Sequence, residues 1–160
     1  MAFEIREHLT MSIPFPRTPE VIESRAALLE RPDRDLVVAV LVRGQTATHL
    51  GPLMGVSPAV LRRRVKRLAR RMNSRTFLDT MRCLPRLDPD DARLARRRFC
   101  QRAPLWLIAK EAGLNRYELR QRLERISAQI AVLSTRRRTS PAASKAAECN
   151  SAWTENRAYA

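Results

Sequence analysis

Apolar side chains recur through most of this chain at steps of three and four residues, the repeat of an amphipathic helix. The stretch 44–71, GQTATHLGPLMGVSPAVLRRRVKRLARR, shows it best. Leu50 and Met54 lie four apart on one predicted helix, and Leu61, Val65, Leu68 and Met72 step by four, three and four on a second. Between them, Gly55-Val56-Ser57 predicts a tight turn. Gly55 takes the left-handed conformation that ends one helix, and Ser57 is a good N-cap for the next. The face opposite the apolar stripe carries Arg62, Arg63, Lys66, Arg67, Arg70 and Arg71.

Upstream, residues 1–18 hold Pro14 and Pro16 with little periodicity and read as an extended or disordered lead-in. A helix is expected from Pro19, with Glu20 near its positive end and Val21, Ile22, Ala26 and Leu29 on its apolar side. The next segment, RPDRDLVVAVLVRG, opens on Pro32-Asp33 and closes on Gly44. Its Val37-Val38-Ala39-Val40 core also suits a buried strand, but no partner strand is legible, so a helix is expected. Residues 73–87 read as a helical connector, capped by Asn73 or Ser74 and ended by Pro85 and Pro89.

The pattern then returns. Gly113, Leu119 and Leu123 each lie 58 residues after Gly55, Leu61 and Val65, so a small helical unit is duplicated. The expected architecture is all-α: two tandem helix-turn-helix units, 19–72 and 88–133, in a small helical bundle. A disordered basic tail over 134–160, with the cluster Arg136-Arg137-Arg138, is expected to follow. In the second copy Ala109 suits a close helix crossing and Asn115 an N-cap, whereas Gly51-Pro52 in the first predicts a short or distorted leading helix. Trp106 reads as core or helix-edge packing. Leu119, Leu123, Ile126, Ile130 and Leu133 form a seam with two uses, packing within the unit or forming a homodimer.

Charge turns this architecture toward a partner. The 160 residues include 31 Lys and Arg against 16 Asp and Glu, a formal charge of +15, which suits a polyanion. Nucleic acid leads, with an anionic membrane surface behind it. No apolar run approaches the roughly 18 residues of a membrane span, so no membrane partner and a cytoplasmic, nucleoid-associated location are expected. Cys83, Cys100 and Cys149 show no CxxC spacing and read as reduced; His8 and His49 have no ligand set around them. No paired carboxylates, metal cluster, phosphate loop or nucleophile triad is legible, so neither a cofactor nor an enzyme is expected.

The segment RPDRDLVVAVLVRGQTATHLGPLMGVSPAVLRRRVKRLARRM resembles the C-terminal promoter-recognition domain, region four, of bacterial sigma factors. DARLARRRFCQRAPLWLIAKEAGLNRYELRQRLERI resembles the same unit more weakly. Gly51-Pro52 departs from the alanine and acid usual there, and no aromatic-rich upstream domain accompanies it. The resemblance implies a tandem helix-turn-helix regulator rather than a complete sigma factor. In such a motif the second helix enters the major groove of double-stranded DNA. The candidate base readers are then Ser57, Arg62 and Arg63 in the first copy and Asn115, Arg116, Tyr117, Arg120 and Gln121 in the second. Thr46, Thr48, Lys66, Arg67, Arg70 and Arg71 are candidates for phosphate. Glu118 and Glu124 give the second copy a milder charge and make it the better surface for a protein partner such as RNA polymerase. The competing expectations are a non-specific or architectural DNA-binding protein, or a DNA-binding accessory of a phage or recombination system. RNA binding is disfavoured by the scarcity of aromatic residues.

Overall fold

The computed structural model describes residues 18–138, and among them are eight α-helices and no strand. The all-α expectation holds, and so does the tandem arrangement. In the first unit α1 (Pro19–Ala26) begins at a proline in the first turn, where no helical N–H is lost. It buries Ile22 and Ala26. α2 (Arg31–Val37) begins in the same way, with Pro32 and Asp33 in its first turn, and buries Leu36 and Val37. Beyond Val37 the helix widens: Arg43 N–H donates to the Val38 carbonyl five residues back (3.0 Å) and Gln45 N–H to that of Ala39 (2.9 Å). Gly44 closes the turn at φ 69°. α3 (Ala47–Met54) and α4 (Pro58–Met72) form the helix-turn-helix.

The second unit repeats this at the same separation of 58 residues. α6 (Pro89–Ala95) widens in turn, with Gln101 N–H on the Arg96 carbonyl (2.9 Å) and Ala103 N–H on that of Arg97 (3.0 Å). α7 (Leu105–Ala112) and α8 (Arg116–Arg138) are its helix-turn-helix. α5 (Arg75–Cys83) corrects the expected connector. It packs against α8 and the widened end of α6, as α1 packs against the widened end of α2, and is the first helix of the second unit. That unit therefore begins near residue 75, not 88. Periodicity hid this because Phe77 faces one unit and Cys83 the other.

Two further expectations are corrected. α3 is not shortened: its bounds Ala47–Met54 match those of α7 after the 58-residue shift, with Pro52 inside the helix. Gly51 explains why the crossing survives. A Cβ there would lie 2.8 Å from the Val56 carbonyl oxygen and 3.3 Å from the Pro58 ring, so the turn and the start of α4 leave no room for a side chain at this position, which Ala109 occupies in the second copy. The tail expected from 134 begins as helix, since α8 runs through Arg138. The lead-in over 1–17, with His8, and the tail over 139–160, with Cys149, lie outside the described residues.

Two apolar clusters stabilise the bundle. The first unites Ile22, Leu29, Leu36, Leu50, Leu61, Val65 and Met72 with Phe77 and Cys100 from the second unit. The second unites Cys83, Leu94, Ile108, Leu119, Leu123, Ile126 and Ile130. The candidate dimer seam is therefore inside the second unit: Leu119, Leu123, Ile126 and Ile130 are buried and Leu133 packs beside them. It offers no apolar stripe to another copy.

Candidate nucleic-acid interface

The two glycine turns are alike in detail. Gly55 and Gly113 take left-handed φ values of 64° and 65°, at no cost only because glycine lacks a Cβ. Thr46 caps α3, its hydroxyl oxygen accepting from His49 N–H (3.2 Å), and Ser57 caps α4 by accepting from Val60 N–H (3.4 Å). In the second copy Asn115 and Glu118 cap α8 reciprocally: Asn115 Oδ1 accepts from Glu118 N–H (2.8 Å) and Glu118 carboxylate from Asn115 N–H (3.0 Å). Thr46, Ser57 and Asn115, all candidate contacts, thus have an oxygen engaged in holding a helix start.

On α4 the apolar stripe Leu61, Val65, Leu68, Ala69 and Met72 is buried. Arg62, Arg63, Lys66, Arg67 and Arg70 are consequently turned to the exposed side, and Thr48 is exposed on α3. Residues 47–72 contain seven basic side chains and no acidic one. Five exposed cations on one helix give this surface a strong positive potential with no internal neutralisation.

Arg71 departs from this group, and its assignment as a phosphate candidate is corrected. It points inward with 11% of its side chain exposed, 3.4 Å from Asp33 Oδ2 and 3.4 Å from the Gln101 carbonyl oxygen. Burial lowers its pKa, against the favourable field of Asp33, and its Nε is buried without a hydrogen-bond partner. Its position in the last turn of α4 aims it across the joint between units. Arg64 binds the same carboxylate at 2.7 Å, and Arg122 pairs with Asp91 at 2.6 Å, each residue 58 after its counterpart. These pairs were not singled out from sequence, although Asp33 and Asp91 at the repeat distance signalled them.

On α8 Arg116, Tyr117, Arg120 and Gln121 are all exposed, with Tyr117 at 69%. Gln121 Nε2 donates to the Tyr117 hydroxyl at 2.7 Å, joining two candidate readers one turn apart. Residues 105–130 carry five basic and three acidic side chains, so this surface is far less cationic than that of α4. Lys110 and Arg125 are exposed beside it and were missed. Of the two placements expected for Trp106, the core is excluded: it is 62% exposed at the start of α7. Its counterpart 58 residues earlier is the exposed Thr48, so consistent use of the repeat places it at the surface.

The units are joined by charge as well as by core. Arg96 donates to the Ala27 and Leu28 carbonyl oxygens (2.6 and 3.4 Å) at the end of α1. Arg97 reaches Glu30 (2.8 Å), Gln101 (2.8 Å) and both carboxylate oxygens of Glu111. The bond to Glu111 raises the Arg97 pKa. An open cleft of about 670 Å³ runs along this joint. Cys83 and Cys100 are free thiols, both buried, with pKa values raised by burial. No described helix is long and apolar enough to cross a membrane.

No known protein family, characterised protein or solved structure matches the chain.

Proposed function

We propose that this protein binds double-stranded DNA and regulates transcription, with the first turns of α4 and α8 in the major groove. One observation carries the reading. A glycine-turn helix pair, present twice, displays five exposed cations on α4 over a segment that contains no acid. Arg62 and Arg63 lie near the start of α4, where a recognition helix meets base edges, and Lys66, Arg67 and Arg70 follow along it toward phosphates. The likeness to sigma region four supports the same use of the fold, and a nucleoid location follows from it. It also makes RNA polymerase the protein partner to test.

Selection from a randomised duplex pool at about 150 mM salt, where non-specific binding is weakened, tests the reading. Enrichment of short motifs is the expected result. Two motifs at one fixed spacing put both units on bases. A single motif assigns one unit to DNA and leaves the other for a protein partner. Retention without enrichment sinks the regulator and favours the second reading, an architectural or accessory DNA-binding protein. The uninterrupted cationic charge of 47–72, which attracts phosphate whatever the sequence, is the observation on its side.

A further inference from the structure

The two helix-turn-helix units share one backbone but not one surface, and the differences fall at matched positions. Lys66, Arg63 and Arg70 on α4 correspond, 58 residues on, to Glu124, Gln121 and Ala128 on α8. Three cations of the first unit are thus replaced by an acid, an amide and a methyl. A phosphate-gripping helix has no use for Glu124, whose carboxylate repels the backbone of DNA. A base-reading helix tolerates it, because amide and hydroxyl groups choose among base edges by hydrogen-bond pattern rather than by charge.

We infer that the units divide the work of the proposed DNA binding unequally: α4, through Lys66, Arg67 and Arg70 beyond its first turn, supplies most of the sequence-independent grip, and α8 supplies the finer choice of sequence, with Gln121 reading adenine and Tyr117 positioning it. The inference rests on the DNA-binding reading above and deepens it. Gln121 lies in the second turn of α8 and is exposed. Its amide donates one hydrogen to the Tyr117 hydroxyl at 2.7 Å. That leaves one N–H and the carbonyl oxygen, the donor and acceptor that adenine N7 and N6 require for a bidentate contact. A free glutamine has to be ordered on binding; one already held by a tyrosine loses less side-chain freedom. Tyr117 sits in the first turn of α8, between Asn115 and Glu118, whose reciprocal cap fixes the backbone there. On α4 the corresponding positions are Arg63 and Ala59, so the first unit has no such pair.

The experiment is duplex selection on the full chain, with salt titrations of the selected duplex, for wild type and three variants with exposed substitutions. Gln121→Ala is expected to lose an adenine preference at one position of the motif, about tenfold or more, while the slope of log affinity against log salt stays unchanged. Tyr117→Phe, which keeps the ring and removes the hydroxyl, is expected to weaken the same preference in part. Arg67→Gln is expected to do the opposite: the motif stays, and the slope becomes shallower by about 1. A motif unchanged in Gln121→Ala, or altered by Arg67→Gln, overturns the division of labour while leaving DNA binding standing. If the wild type retains duplexes with no motif at all, the proposed function falls and takes this inference with it.

Discussion

Among the described residues other than glycine, Arg102 alone has a positive φ, 57°. It occupies the place that Gly44, 58 residues earlier, fills at φ 69°. Both close the widened end of a helix, a position that demands a left-handed residue. A side chain there costs about 1–2 kcal/mol, against which glycine's extra freedom when unfolded costs about 0.5–1 kcal/mol. Arg102→Gly is therefore expected to raise stability by about 0.5–1 kcal/mol in chemical denaturation, and no gain or a loss would contradict the strain. Gly51 makes the opposite case. There φ is ordinary and space is lacking, because a Cβ meets the Val56 carbonyl oxygen at 2.8 Å. The sequence showed the turn glycines through their neighbours, Ser57 and Asn115. It could not show that Gly51 is required by a backbone five residues away, nor that Arg102 stands where a glycine is wanted.

At the scale of elements, each unit ties its second helix to its recognition helix with one ion pair, Asp33–Arg64 and Asp91–Arg122. Both aspartates sit in the first turn of their helix, so dipole effects cancel when the two are compared. The difference is Arg71, held at Asp33 with 11% of its side chain exposed, whereas Arg122 retains 31%. Removing Asp33 leaves a largely buried guanidinium, already short of a hydrogen bond at Nε, with its carboxylate partner gone and the nearby charge of Arg102 uncompensated. Asp33→Ala is expected to cost about 2–3 kcal/mol and Asp91→Ala about 1 kcal/mol or less, measured by urea denaturation. Equal losses would mean that Arg71 finds compensation elsewhere. Helices α3, α4, α7 and α8 were legible from the spacing of Leu50, Leu61, Val65, Leu119 and Leu123. α5 was not understood, because a helix buried on two sides looks like any packed connector. Arg71 looked like its exposed neighbours on α4, since one more arginine in an arginine-rich run carries no mark of which way it points.

For the molecule as a whole, the joint decides whether two units behave as one. Phe77 and Cys100, both from the second unit, are fully buried in the first unit's core, and Arg96, Arg97 and Arg71 close the seam around them. A chain joined through shared core unfolds in one transition, because neither unit can open without exposing apolar surface of the other. Cys100 gives this joint a dependence on pH. Burial pushes its thiol up from an ordinary 9.0 to about 11, partly offset by Arg96 and Arg71, so the folded state holds the neutral form. A raised pKa means that the stabilisation is complete below the unfolded value of 9.0 and declines as pH rises toward the folded value near 11. The expected loss is about 1.4 kcal/mol per pH unit across that window. Thermal unfolding of wild type and Cys100→Ala from pH 8 to pH 11 measures it. The variant begins less stable, yet its profile should be the flatter of the two, and one transition should persist in both. Parallel profiles would show that the thiol does not titrate within the joint. Two separate transitions in the wild type would show that the joint leaves the units independent.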